Sequence, residues 1–239
     1  MASAKSELRF KFGVFIGITL FFLSSLISPA NAADPLPTRK AVEQHLADLG
    51  LPVGKVDGSW NANSRRAFCA WRELTGRKIT TKNLTNQERR DLLSTPANAW
   101  IIPANMVVGM NFNITCQTGI WVQPNEGTEA APNIATSHIT AVMPVSTGMS
   151  KFPTTRGPHT VYSTIDAWHE STKYSGAMMY RPMYFHRGEA IHGSATDRLV
   201  KTYPASHGCI RMLHSDIDRL WAAGFGKSSQ VNVYGRWRG

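Results

Sequence analysis

"YPASHGCIRM", Tyr203 to Met212, sets a cysteine two residues after a histidine, with a glycine between them and an arginine two residues further on. A single cysteine in such a setting is a structural thiol, a metal ligand or a nucleophile, and these ten residues do not choose among the three. A thiol acts through its thiolate, which is scarce at a free pKa of about 8.5, so a nucleophilic cysteine needs a base or a cation beside it. His207 is nearest along the chain, but two residues away on a strand or tight turn its ring need not face the sulfur. A base then has to come from another segment.

The compartment narrows the choice. Lys5, Arg9 and Lys11 precede the apolar run "FGVFIGITLFFLSSLIS", which leads to Ala30-Asn31-Ala32, a small-x-small site before Ala33. Basic start, apolar middle and cleavage box predict a secretory signal over residues 1–32, too short in its apolar part for a comfortable membrane span, the alternative being an uncleaved anchor. No later segment reads as a span, so the expected location is extracytoplasmic, secreted or periplasmic, with no stable membrane span once the signal is cleaved. Removing residues 1–32 leaves 23 basic against 15 acidic residues, a net charge of +8. Outside the membrane such a chain favours carboxylate-rich polymers or lipid head groups, and nucleic acid is not an expected partner.

An oxidising compartment gives the three cysteines meaning. Cys69 lies in "NSRRAFCAWRELTG", where Ala67, Phe68 and Trp71 share one helical face, while its own neighbours at three and four residues are Arg65, Arg66, Arg72 and Glu73. That places Cys69 on the wet side, where a free thiol would oxidise. A bond from Cys69 to Cys116 is expected, the alternative being a partly buried inert thiol. Cys209 is then the unpaired one.

Residues 38–96 read as three short helices. Val42, Leu46 and Leu49 repeat at helical spacing before Gly50; the Cys69 helix also ends at a glycine; and Thr85 with Glu88 forms a capping box ahead of Leu92 and Leu93. From about Met106 the texture changes to short runs rich in Val, Ile, Thr, Tyr and Phe, such as "HITAVMPVS", "MMYRPMYF" and "SQVNVYG", which predict strands. Residues 123–137 read as a loop or hairpin tip. One late helix is expected over "DIDRLWAAG", capped by Ser215 and Asp218, with Ile217, Leu220 and Trp221 inward. The fold class is α+β: a signal at 1–32, a small three-helix domain at 33–100, and a β-rich domain of mixed sheets with one capping helix at 101–239.

Six of the eight histidines, His159, His169, His186, His192, His207 and His214, fall in the densest stretch, and His45 and His138 lie outside it. His192, in "EAIHGS", follows apolar Ile191 and precedes a glycine, so it is placed to end a buried strand facing the site. The Gly193 carbonyl could then accept from the imidazole and fix its orientation. Gly208, without a Cβ, lets the amides of His207, Gly208 and Cys209 converge as an oxyanion hole. Zinc is weighed as well, since Cys209, His207, His192 and His214 are all possible ligands. Their spacing follows no usual paired arrangement and no second cysteine lies close by, so neither a metal nor another cofactor is expected.

Ile191-His192-Gly193, followed after a dozen residues by Ser206-His207-Gly208-Cys209-Ile210-Arg211-Met212, resembles the signature of the L,D-transpeptidase catalytic domain family. The preceding "MPVSTGMSKFPTTRGPHTVYSTI" is similar to that family's strand, "STG" turn and "TPxG" stretch. The resemblance implies Cys209 as nucleophile, His192 as its base, the Gly193 carbonyl as orienting group and the amides of His207, Gly208 and Cys209 as oxyanion donors. It further implies that Ser206 and His207 shape the pocket and that Arg211 binds a stem-peptide carboxylate. Thr155 and His159 depart from the family pattern, where proline and an aromatic are usual. The implied activity is peptidoglycan 3→3 cross-linking, with tetrapeptide stems as donor and acceptor, release of the terminal D-alanine and a protein acting as a monomer. Asp57, Gly58, Trp60, Ser64, Ala67 and Phe68 in turn resemble the peptidoglycan-binding-domain family, which implies glycan contact for the helical part.

Other readings stay open. Water as acceptor would make the same enzyme an L,D-carboxypeptidase. A sortase-like thiol transpeptidase also sets His before Cys and Arg after it, but at wider spacing and without "SHGC". A wall-binding protein with a degenerate catalytic domain should lack the cysteine or the base, and both are present. Trp168 and Tyr174 are candidates for a flap over the pocket, and the tail "GRWRG" receives no role.

Overall fold

Thr38 opens the first helix by accepting the Ala41 N–H, and the computed structural model, which describes residues 35–128 and 132–238, continues from there. The expected signal and the centre of the expected loop at 123–137 lie outside the described residues. Each N-terminal helix begins where a side chain satisfies its first free amides. Thr38 caps α1, Arg39–Asp48; Asn61 and Ser64 form a reciprocal box at α2, Ala62–Leu74; Thr85 and Glu88 do so at α3, Asn86–Leu93. Val42, Leu46, Phe68, Trp71, Leu74 and Leu92 meet in one core and are fully buried there.

Helix α2 departs from the sequence expectation. Cys69, placed on the wet side by spacing, is completely buried, because the charged residues around it are themselves covered. Arg72, only 3% exposed, donates to both carboxylate oxygens of Glu88 and to the carbonyls of Thr80, Lys82 and Asn83. Glu73 accepts from the Tyr234 hydroxyl at 2.6 Å and from Asn113 Nδ2 at 2.8 Å. Burial pushes the Glu73 carboxyl pKa up, and those two donors work against the shift. Charged residues mark an exposed face only when nothing supplies them with partners.

Ten strands follow among the described residues: β1 Gly109–Asn113, β2 Thr118–Pro124, β3 Ser137–Ser146, β4 Gly157–Thr160, β5 Ser163–Thr164, β6 Trp168–Glu170, β7 Met178–His186, β8 Glu189–Ser194, β9 Ile210–Met212 and β10 Gln230–Tyr234. They join in one sheet of order β4-β10-β1-β2-β3-β9-β8-β7-β5, with β6 paired to β7 off that path. The β1–β10 and β8–β9 pairs are parallel and the others antiparallel. The fold is α+β. Helix α4, His214–Ala222, starts one residue before Ser215, and Leu213 stands at its cap without a side-chain bond. Asp197, from another segment, accepts the His214 N–H instead, and Asp218 is drawn to the Tyr180 hydroxyl and Arg181. No helix among the described residues is long and apolar enough to cross a membrane.

Residues Leu36–Gly239 form one compact unit, and β2 shows how helices and sheet are joined. Side chains alternate along a strand. Ile120 and Val122 enter the helical core, while Trp121 enters the other core with Met110, Phe112, Ile191, Ile210 and Leu220. A disulfide joins Cys69 of α2 to Cys116 in the β1–β2 turn, 47 residues apart, beside the Glu73–Asn113 bond. Replacing both cysteines by alanine should destabilise the protein by about 2–4 kcal/mol, because the unfolded chain regains the freedom of that loop. Urea unfolding of the variant against wild type measures this, and an unchanged midpoint would show the seam to be held by its core alone.

Candidate active site

The turn before β9 is held from two sides. Ser206, 1% exposed, donates its hydroxyl proton to the Cys209 carbonyl and accepts the Gly208 N–H at 3.2 Å. Thr154 donates to the Gly208 carbonyl at 2.7 Å while accepting the Gly148 N–H at 2.8 Å. Upstream, Thr147 accepts the amides of Ala205 and Ser206, and Ser206 returns its carbonyl to the Met149 N–H at 3.0 Å. Gly208 has φ +114°, a conformation that a side chain would strain. The segment carrying Cys209 is therefore fixed before any ligand arrives.

The opposite side of the site comes from β8. Its parallel register with β9 sets Ile191 against Ile210, His192 against Arg211 and Gly193 against Met212. Facing residues share a side of the sheet and alternate residues return to it, so His192, Arg211 and Cys209 project to one face. There His192, Ser206, His207, Cys209 and Arg211 line a cavity of about 150 Å³. Gly193 is excluded from bearing a side chain by its neighbour: a Cβ would lie 2.4 Å from His214 Cδ2.

The electrostatics favour neutral partners. His192, 6% exposed, bonds the Gly193 carbonyl through Nδ1 at 2.8 Å. A carbonyl only accepts, so Nδ1 carries the proton and Nε2 the lone pair. Burial lowers the His192 pKa to about 4, with the Gly193 carbonyl opposing the shift and the Arg211 charge adding to it. Cys209 is partly buried, and burial raises its thiol pKa; the Glu189 carboxylate adds to the rise, while the Ala190 N–H, Arg211 and Lys173 oppose it. The sulfur accepts the Ala190 N–H at 3.4 Å and lies 4.0 Å from the Gly188 carbonyl. At neutral pH the resting site holds a thiol and a neutral imidazole.

The other expected residues divide. The His207 ring is stacked on Tyr174 at 4.7 Å and meets the edge of Phe152 at 4.9 Å, so Tyr174 does line the cavity. Trp168 packs on Tyr180 and His214 instead, outside the cavity lining. The Gly208 N–H, engaged by Ser206, is not free to converge with its two neighbours. Arg211 donates to the Ala205 carbonyl at 3.2 Å and keeps the rest of its guanidinium toward the cavity. His214 points away, with Nε2 on the Ser194 carbonyl. Among the described residues no group of three or more His, Cys, Asp or Glu is placed to hold a metal ion.

One pair escaped sequence reasoning. Thr155 donates both its N–H, at 2.9 Å, and its hydroxyl, at 2.7 Å, to the Glu189 carboxylate, 34 residues away. A proline at that position could make neither bond. His159, the other departure, packs its ring against Phe185 and His186. No local pattern links Thr155 to Glu189; only the paired sheet brings them together.

Comparison with known proteins gives the family that this chain is similar to. Residues 117–224 match the family model of the YkuD L,D-transpeptidase catalytic domain. The structure is similar to that of an L,D-transpeptidase from Xylanimonas cellulosilytica, 26% identical with a TM-score of 0.54, over 83% of this chain and 93% of that one. That share is too large to come from the β-rich part alone. An L,D-transpeptidase from Stackebrandtia nassauensis is 21% identical with a TM-score of 0.49, over 84% of this chain and 92% of that one. No curated protein sequence matches the chain. Family model and shared fold thus agree in what residues 117–224 are similar to, the YkuD family of L,D-transpeptidase catalytic domains.

Proposed function

We propose that this protein is an extracytoplasmic, monomeric L,D-transpeptidase that cross-links peptidoglycan through a Cys209 acyl-enzyme. The observation that carries the proposal is the meeting, on one cavity, of His192 from β8 and Cys209 from the turn that enters the parallel neighbour β9. The reading takes residues 1–32 as a cleaved signal, 33–100 as a wall-associated helical domain and 101–239 as the catalytic domain.

The donor is a tetrapeptide stem whose third residue is a diamino acid. His192 Nε2 removes the Cys209 S–H proton as the sulfur attacks the carbonyl carbon of that residue, and the C–S bond forms. The resulting oxyanion is stabilised by the amides of Cys209 and His207, since that of Gly208 already serves Ser206. Collapse breaks the peptide bond; the imidazolium returns its proton to the leaving D-alanine nitrogen, leaving a thioester. The side-chain amine of a second stem then attacks, loses a proton to His192 and releases the thiolate, which is reprotonated. The product is a 3→3 cross-link. The Gly193 carbonyl fixes the ring in the tautomer this requires, and Arg211 receives a stem carboxylate.

Incubating the mature protein with disaccharide-tetrapeptide and weighing both protein and products tests this. Wild type should show a covalent tripeptide adduct and a cross-linked dimer; tripeptide alone would indicate water as acceptor, and neither adduct nor product from folded protein would refute the enzymatic reading. Cys209→Ala should abolish the adduct, and His192→Ala should slow its formation by about 10²–10⁴-fold. Full speed in the His192 variant would remove the imidazole from the mechanism.

The neutral resting pair has a pH signature. With the His192 pKa near 4, the base is available above that value and lost as pH falls through it, so acylation should fail only in strong acid. Alkylation of Cys209 by iodoacetamide should rise with an inflection above the ordinary thiol value of about 8.5. A plateau of high reactivity between about pH 5 and 7 would instead reveal a preformed thiolate–imidazolium pair.

A further inference from the structure

A second cavity among the described residues is larger than the one that His192 and Cys209 line. A cleft of about 740 Å³ lies between α2 with the loop after it and the Thr202–Tyr203 segment with Trp237. Its lining includes Arg65, Arg66 and Lys82 and no acidic residue. None of those three cations belongs to an ion pair among the described residues.

Arg66 is the informative one. It is 5% exposed, its Nη2 donates to the Lys201 carbonyl, and its buried Nε has no hydrogen-bond partner. Two turns along the same helix, Arg72 is equally buried yet fully paired, with Glu88 and three carbonyls. Buried charges are ordinarily paired, because an uncompensated one is costly. Asp216 borders a neighbouring cavity that Arg66 also lines, but no ion pair joins them. Burial without a counter-ion lowers the Arg66 pKa to about 10. An anion from outside the chain would supply the missing partner.

The rest of the cleft says what kind of anion. Tyr203, half exposed, and Trp237 add aromatic rings to the lining, and Asn83 and Thr202 add neutral polar groups. That mixture suits a sugar–peptide chain bearing carboxylates better than a bare polyphosphate, and the volume falls within the range of small-ligand sites. The cleft also shares a segment with the catalytic cavity. Tyr203 is three residues before Ser206, and its carbonyl accepts the Ser146 hydroxyl at 2.9 Å.

We propose that the cleft of Arg65, Arg66, Lys82, Tyr203 and Trp237 is a second binding site, for a carboxylate-bearing segment of a wall glycopeptide strand. The identity of that ligand rests on the proposed function, whereas the anion site itself does not. Guanidinium groups take the carboxylates, and the rings take sugar or peptide faces. The site holds the polymer while Cys209 acts on a stem of it.

Co-sedimentation of the full-length mature Cys209→Ala protein with sacculi stripped of phosphate polymers is the test. Arg65→Ala with Lys82→Ala in that background should raise the dissociation constant at least about tenfold, as should amidation of the wall carboxylates. The same double substitution with Cys209 intact should leave thioester formation on soluble disaccharide-tetrapeptide unchanged. Unchanged sedimentation, binding that needs the phosphate polymers, or an equal loss of thioester formation would each overturn the assignment. Binding that depends on these cations in a protein that forms no thioester would keep the site while discarding the enzyme.

Discussion

The parallel pairing of β8 with β9 is the constraint on which the site depends. Only three residue pairs make it, Ile191 with Ile210, His192 with Arg211 and Gly193 with Met212, and a slip of one residue would turn either His192 or the Cys209–Arg211 set to the opposite face. Parallel neighbours need a crossover, and here it is the segment from Ala195 to Cys209. The sheet guards the register from both ends. Buried Ile191 and Ile210 lock into the core, and Ser206 and Thr154 tie down the turn that enters β9. Gly193 completes the arrangement by letting His214 close over the strand where any side chain would collide.

That same burial decides the chemical state of the site. A sheet face enclosed enough to fix two side chains also strips water from them, which disfavours both thiolate and imidazolium. The Gly193 carbonyl answers part of the cost for His192 and does so only through Nδ1, which fixes the tautomer as it orients the ring. The Glu189 carboxylate, clamped by Thr155, adds to the burial that raises the Cys209 thiol pKa. Under the proposed function, a thiol kept protonated until a base and a carbonyl are both in place is guarded against oxidation, at the expense of standing reactivity.

What could be read in the sequence was whatever is local. The boxes at Asn61–Ser64 and Thr85–Glu88 are three-residue patterns, and the strand-rich texture after Met106 follows from residue type. "SHGC" and "IHG" carried the candidate pair because their glycines and histidines are local necessities. What depends on distant partners was not legible. Spacing put Cys69 in water because it could not see Glu88 or the loop carbonyls neutralising Arg72. It gave α4 a serine cap because Asp197 lies in another segment. Strand β9 is three residues long inside a loop-like run, and Thr155 meets Glu189 only across the fold.

The helical part bears on the chemistry through the crossover as well as through the core. Arg66 of α2 holds the Lys201 carbonyl, five residues before Ser206, so the helix grips the segment that delivers Cys209. Under the proposed function, the cavity of about 150 Å³ that His192 and Cys209 line takes the reacting end of a stem and little more. The remainder of a glycopeptide has to lie elsewhere on the protein, and the basic cleft borders the same segment. An anion seated against Arg66 would neutralise a charge that the fold leaves unpaired and would brace the Lys201 contact. Binding of the polymer and rigidity of the turn that carries the thiol are then expressions of one interaction.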